Sequence, residues 1–423
     1  MLEADKSNLA NEIWKRVDQD VELPSKQSNP TFVIDGGHLL FKMKWKKGST
    51  FKEIFQSYES YVLKHYGSNS IIVFDGYPQE PSTKDTTHLR RKSTKSGRFV
   101  KITPHMKLNM KKYLFLSVLK NKNLFNKMLK DHINNSGSGI QAIKDDADAD
   151  HLLAQTAITR SRNSDVVVIS ADTDVLVLLI HGLEDSSCKI FFNSESVTAT
   201  RSVPKVWDIR SIQSKLGPNV CNNMLAIHAF FGCDTISMVY GFGKGTGLKK
   251  FIDNDEFSSY LSIFSNKGIS QCDIASAGEK AIAMLYGGNA FETLHELRYT
   301  LFCTKLSVNT KVVSPELLPP TTDAATFHSY RAYHQVQTWM GVNLPPQEWG
   351  WIVKGSYLLP KLMNRSPAPD NLMKLIKCNC KTGCENNHCS CRKNNLKCTP
   401  ICSNCKGVSC VNHQECEECE TFE

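Results

Sequence analysis

Four short apolar runs, over residues 31–34, 70–74, 165–169 and 174–180, are rich in valine and isoleucine and are continuous rather than alternating. That is the pattern of strands covered on both faces, as in a parallel sheet. Between them, apolar residues recur at helical spacing over 51–65, 107–132 and 148–159. Strands and helices in this order predict an α/β layer fold. Residues 1–30 read as a frayed leader with one short helix at 11–18, Ser136-Gly137-Ser138-Gly139 is a break, and from residue 205 the pattern turns helical. Pro315, Pro319 and Pro320 mark a boundary, and Pro367 and Pro369 open a linker.

The 423 residues, 41% apolar and 22% charged, are enough for two or three domains with a real core and exclude a wholly disordered chain. No apolar run approaches the ~20 residues of a membrane span, and the start MLEADKSNLANEIWKR lacks the apolar core of a signal peptide. The expected location is therefore intracellular, with no membrane partner. The net charge of +9 is concentrated in one place. From Lys84 to Asp131 there are fourteen Lys and Arg against Asp85 and Asp131, a net +12, which leaves the remainder at −3. This is the distribution expected where a polyanion is gripped locally, although a charge run by itself is as often a solvated helical face.

Candidate chemistry begins with the acids that follow the apolar runs. Asp35 closes TFVIDGG, Asp75 closes IIVFDG, and Asp172 and Asp174 follow VVVISA. Sites in open parallel sheets form at the carboxyl ends of strands, so these acids are expected to converge at one edge. Asp148 and Asp150 open a predicted helix, and Asp234 stands in FFGCDT after another. Clustered carboxylates repel unless cations neutralise them, and hard oxygen donors suit Mg²⁺ or Mn²⁺. Two such ions roughly 4 Å apart support phosphodiester hydrolysis. Each acid taken singly has a structural explanation as a helix cap or turn residue, so the weight lies on the joint pattern.

VIDGGHLL, VFDGYP, DADADHLLA, SADTDVLVLL and FFGCDTISMVYGFGKGTGLKKF occur in the order of the motifs of the flap endonuclease superfamily, the xeroderma pigmentosum group G type nucleases. The resemblance covers roughly residues 30–255. It implies a PIN-like nuclease core with a helical arch and a helix-hairpin-helix region, and it places Asp35, Asp75, Asp148, Asp150, Asp172, Asp174 and Asp234 where the family has its seven metal-binding acids. The family usually has glutamate at the positions of Asp148 and Asp150, and its amino terminus lies near the site, whereas here about thirty residues precede the first motif. By the same resemblance, Gly241, Gly243, Gly245 and Lys249 form the hairpin that binds a DNA backbone, and Lys84, Arg90 and Arg91 are candidates for contact with the scissile phosphate.

Sixteen cysteines are as unevenly placed as the charge, with eleven between Cys378 and Cys419. Nine of them, Cys378, Cys380, Cys384, Cys389, Cys391, Cys398, Cys402, Cys405 and Cys410, lie in so short a segment that metal ligation has to supply its folding energy. Their spacing resembles the tesmin-type CXC domain, a DNA-binding module in which nine cysteines hold three Zn²⁺. Arg392 and Lys393, between the ligands, are then its natural phosphate contacts. Cys416 and Cys419 stand in an acidic terminus, read as a tail. Trp339, Trp349 and Trp351 are assigned to packing.

The expected divisions are a leader over 1–30, a nuclease-like core over 31–200 with its arch at about 80–135, a helix-hairpin-helix region over 201–313, a tryptophan-containing bridge over 314–370, the zinc module over 371–412 and an acidic tail over 413–423. This order of parts also resembles that of proteins associated with mobile elements in animal genomes. The expected activity is that of a metal-dependent nuclease selecting DNA junctions or flaps, with two Mg²⁺ or Mn²⁺ and three Zn²⁺. The alternatives are a nuclease-like DNA-binding or chromatin protein without catalysis, and an RNase of PIN type. Basic clusters over 42–47 and 90–95 support a nuclear expectation. Cleavage polarity and oligomeric state are left open.

Overall fold

The computed structural model describes residues 5, 7–17, 21–76, 81–91, 97–144, 149–184, 188–195, 204–289, 292–308, 317–364, 376–381, 383–394, 396–398 and 402–413, with backbone only at 26, 88, 90, 91 and 306–308. The chain divides into two compact units, Met1–Ala277 with His328–Lys361, and Gly278–Phe327 with Leu362–Glu423.

The first unit opens with helix α1 (Ser7–Trp14), which buries Leu9, Ile13 and Trp14. Trp14 meets Trp207 edge-on at 5.0 Å, so this stretch is packed where fraying was expected. Strand β1 (Thr31–Asp35) leads into α2 (Gly36–Lys42), followed by α3 (Phe51–His65) and β2 (Ser70–Phe74). Helix α3 has the predicted bounds, and its sequence shows why. Thr50 and Glu53 form a reciprocal capping box, Lys64 and His65 favour the carboxyl end, and Phe51, Ile54, Phe55, Tyr58 and Val62 make one buried stripe.

Next come α4 (Asp85–Arg91), α5 (Lys112–Leu116), α6 (Leu119–Asn135), β3 (Gln141–Lys144), α7 (Ala149–Arg160), β4 (Val166–Ile169), α8 (Thr173–Gly182), β5 (Ile190–Asn193) and β6 (Val206–Asp208). The sheet has six strands in the order β3-β2-β1-β4-β5-β6. All neighbours are parallel except β5 and β6. The expected α/β class with a central parallel sheet is therefore present. One predicted strand is not: residues 174–180 belong to helix α8. Asp172 caps that helix, and α8 is buried on every side, so its apolar run is continuous and carries no period to distinguish it from a strand. The helix expected over 107–132 is two helices, α5 and α6. The Lys112 ammonium lies over the Trp45 ring and donates to the carbonyls of Leu40 and Met43, closing the last turn of α2.

The unit continues through α9 (Ile209–Leu216), α10 (Pro218–Asn222), α11 (Met224–Phe230), α12 (Lys244–Asp253) and α13 (Asp255–Ser262). It is completed by the His328–Trp339 part of a later helix and by a hairpin of β7 (Trp351–Lys354) and β8 (Tyr357–Pro360). Trp339, Trp349 and Trp351 are all buried, as packing residues should be. In the second unit Glu279 accepts from the amide of Leu294 and the hydroxyl of Thr322. The cysteine-rich segment belongs to this unit. Among the described residues no helix is long and apolar enough to cross a membrane.

Candidate metal and nucleic-acid site

Because the strands after β1 extend first to one side and then to the other, the order reverses at β1, and the crevice of such a sheet opens at the carboxyl ends of its central strands. Asp35 ends β1 and caps α2: its Oδ1 accepts from the amides of Gly37 at 2.8 Å and His38 at 3.1 Å. Its Oδ2 accepts from the Ser170 hydroxyl at 2.8 Å, and that hydroxyl oxygen accepts from the amide of Asp172 at 3.1 Å. Ser170 thus ties the end of β1 to the end of β4. Asp172 in turn caps α8 by accepting from the Asp174 amide at 2.9 Å.

Asp150, Asp172 and Asp174 each offer a carboxylate oxygen within 4.8 Å of the others. Asp75 lies beside Asp35: a Cβ at Gly37 would sit 3.1 Å from Asp35 Oδ1 and 3.6 Å from Asp75 Oδ2. Any larger residue at position 37 would push its side chain into the acids. Burial pushes the Asp35 carboxyl above its ordinary range, and the Asp75 charge pushes the same way, against the hydrogen bonds from His38 and Ser170. A second carboxylate beside a buried one is a donor set that a hard cation relieves, so the residues present fit Mg²⁺ or Mn²⁺.

Two lysines reach this edge. Lys122 of α6 donates to Asp75 at 3.1 Å, and Lys84 stands 3.9 Å from Asp150. Lys84 was among the sequence candidates; Lys122 was one of fourteen cations in a basic run and nothing in its spacing set it apart. The helix that follows Lys84 is anchored at two points, with Asp85 accepting from the Leu358 amide at 2.9 Å and the Thr87 hydroxyl donating to the Asp234 carbonyl. That places the Asp234 loop next to α4. The same loop is closed by paired bonds between Cys233 and Ile236, and Thr235 donates to Gln335 at 2.7 Å. Asp148 lies outside the described residues, as do the side chains of Arg90 and Arg91.

Beyond β5, Glu195 accepts from His38 at 3.3 Å, Lys42 at 2.5 Å and Tyr66 at 2.8 Å. Burial alone would raise this carboxyl, but the three donors hold it down to about 2. A folded-state value below the unfolded one stabilises the protein above about pH 4.5, and the contribution is lost as pH falls through about 2. Urea unfolding across pH 2 to 5 should therefore show a shallower pH dependence in Glu195→Gln than in the wild-type chain. Equal slopes would show that the triad of donors contributes nothing.

In the hairpin, Gly241 has φ +84°, and neither Gly241 nor Gly243 has an atom within 4 Å of where a Cβ would be, so backbone there is open to a phosphate. Gly245 is different, since its face lies against Glu12 of α1. Lys249 is exposed, whereas Lys244, the first residue of α12, is 1% exposed and bonded to His228. His228 donates to Asp174 at 2.7 Å. Sequence reading passed over His228 because a single histidine on an apolar helix is ordinarily a core residue.

Three overlapping groups of four thiols mark the cysteine segment: Cys378, Cys384, Cys389 and Cys398; Cys378, Cys391, Cys398 and Cys402; Cys384, Cys398, Cys405 and Cys410. Sulfur separations of 3.6 Å for Cys378–Cys384, 3.8 Å for Cys378–Cys398 and 3.6 Å for Cys391–Cys402 match the ~3.8 Å edge of a tetrahedron with ~2.3 Å zinc–sulfur bonds. Cys380 stands outside these groups and is half-buried. Arg392 and Lys393 are exposed in the last turn of the helical turn Ser390–Lys393.

No family model matches the chain, and no curated protein matches it. Solved structures do. The catalytic core of Rad2 in complex with DNA substrate is 15% identical with a TM-score of 0.35, covering 58% of this chain and 66% of that one. Zinc-bound 5'-exonuclease of bacteriophage T5 is 15% identical with a TM-score of 0.34, covering 74% and 99%. The eukaryotic junction-resolving enzyme GEN-1 is 17% identical with a TM-score of 0.35, covering 76% and 61%. At this level of similarity, what the site does has to be read from its own residues.

Proposed function

We propose that the chain is a divalent-cation-dependent nuclease acting on DNA at flaps or junctions, with a zinc module that adds DNA affinity. One observation carries this: Asp35, Asp75, Asp150, Asp172 and Asp174, drawn from four separate parts of the sequence, meet at the carboxyl edge of one sheet. Asp150, Asp172 and Asp174 would hold one Mg²⁺ or Mn²⁺, and Asp35 with Asp75 a second, joined by Asp148 and Asp234. Bound there, such ions activate water and stabilise the leaving oxygen of a phosphodiester. The chain's own part is to fix the carboxylates and admit the backbone. Ser170 and the amides of Gly37 and His38 lock the Asp35 rotamer. Gly37 leaves room for a phosphate, while Lys84 and Lys122 offer ammonium groups to it. Gly241 and Gly243, with Lys249, would grip the duplex backbone away from the cut.

For the cysteine module, three Zn²⁺ need twelve ligand places. If Cys378, Cys384 and Cys398 each bridge two ions, the groups leave a single place open, and Cys380 fills it. Arg392 and Lys393 then face solvent as phosphate contacts.

A non-catalytic DNA-binding reading is favoured by one feature, the Lys122–Asp75 pair, which already supplies a cation to the site. The deciding experiment incubates the full chain with labelled flap, nicked and single-stranded DNA and with matching RNA, in Mg²⁺ and in Mn²⁺. The nuclease reading expects cation-dependent cleavage of flap or junction DNA. Salt-sensitive binding without turnover would establish the non-catalytic reading, and preference for RNA would move the assignment to an RNase.

A further inference from the structure

Lys244 is a physical anomaly. It is the first residue of α12, where the helix dipole disfavours a cation, and it is buried. A buried ammonium costs several kcal/mol unless an anion compensates it. Its Nζ lies 2.7 Å from His228 Nδ1 and 3.4 Å from Nε2, over the face of the imidazole, and donates to the His228 carbonyl at 3.0 Å. His228, itself 0% exposed, places Nε2 2.7 Å from Asp174 Oδ1. The direction of that bond follows from the groups. A carboxylate only accepts, so Nε2 carries the proton. The Trp339 ring, 5.6 Å away, covers the imidazole, and buried Cys233 lies within the electrostatic reach of both Asp174 and Lys244.

We propose that His228 and Lys244 are positioning residues for Asp174: Lys244 fixes the orientation of His228, and His228 fixes the Asp174 carboxylate that holds a divalent cation. The inference rests on the metal-site reading above and deepens it. Lys244 belongs to the support of the metal site. Because it directly follows Gly241 and Gly243, the backbone-gripping hairpin and the cation site are then one mechanical unit. Partners of this kind behind a metal ligand change metal affinity by about 10–100-fold when removed.

The test compares His228→Gln and His228→Asn in the full zinc-loaded chain, with Lys244→Met as a third variant. Glutamine places its amide nitrogen near the position of Nε2 and keeps a donor for Asp174, whereas asparagine places it near Nδ1 and does not. The two are polar and similar in size, so a role in packing alone would affect them alike. Mn²⁺ affinity is read by electron paramagnetic resonance, thermal unfolding reports the fold, and DNA affinity is measured without added Mg²⁺ or Mn²⁺ and without chelator, so that the cysteine segment keeps its zinc. The expected result is Mn²⁺ binding close to wild type in His228→Gln and about 10–100-fold weaker in His228→Asn and Lys244→Met, with DNA affinity in the absence of Mg²⁺ and Mn²⁺ unchanged and the loss in turnover falling on kcat rather than KM. Equal Mn²⁺ affinities in the glutamine and asparagine variants would overturn the relay while leaving the metal site standing. A wild-type chain that binds no Mn²⁺ would overturn both.

Discussion

Asp172→Asn is expected to lower the cleavage rate by about 10³-fold or more while leaving thermal stability within error of wild type. The two effects separate because Asp172 has two tasks. Its Oδ1 accepts the Asp174 amide as the cap of α8, and asparagine caps a helix as well as aspartate does. Its charge, together with Asp150 and Asp174, is what a divalent cation would pair with, and asparagine has none. Asp172→Ala should lose both, with the same collapse in rate and a further destabilisation of about 1 kcal/mol. Single-turnover cleavage and thermal melts on the same preparations decide it. Normal cleavage by Asp172→Asn would remove Asp172 from the chemistry and leave it only a cap.

Zinc removal should have the largest effect on stability, and it should be confined to the cysteine segment. Among the described residues, the buried side chains of that segment's core are Cys378, Cys384, Cys389, Cys391, Cys398, Cys402, Cys405 and Cys410, with Ile376, Cys380 and Leu396 packed around them. So little apolar surface offsets only a small part of the entropy of ordering some thirty residues, at about 1–2 kcal/mol each. Structural zinc contributes about 10–16 kcal/mol per ion, so chelation should unfold the segment outright. The sharing of thiols makes the pattern specific. Cys398 belongs to all three groups and Cys410 to one. As a thiolate bridging two ions, Cys398 should on mutation to serine release about two ions in three, and Cys410→Ser about one in three. Zinc content by mass spectrometry of the native chain, with protease sensitivity of the segment as a second readout, checks this. Full zinc retention in Cys398→Ser would contradict the shared-thiol arrangement.

The sheet and its acids were legible because each signal was local. Parallel strands such as β1, β2 and β4 are covered on both faces and so write themselves as unbroken valine and isoleucine, and the acid at each strand end marks the edge where ligands bind. The capping box of α3 fixed that helix to the residue. Where a segment is buried on all sides the same signal becomes ambiguous, and α8 was read as a strand for that reason. Strand β3 went unseen because it is an edge strand whose only apolar residues are Ala142 and Ile143, and β5 because its apolar run is the three residues Ile190–Phe192. The support of the site was hidden for a different reason. Ser170, Thr87, His228 and Lys244 act through partners as much as 147 residues away, and a serine, a threonine, a core histidine or a lysine in a turn looks the same whether or not such a partner exists.

The most direct test counts cations. The zinc-loaded chain is titrated with Mn²⁺ and the bound ions are counted by electron paramagnetic resonance, in wild type and in Asp35→Asn and Asp172→Asn. Two Mn²⁺ per wild-type chain, with at least one lost in each variant, is the expected result. A wild-type chain that binds none, or variants that bind as wild type does, would contradict the claim that these carboxylates meet in order to hold metal.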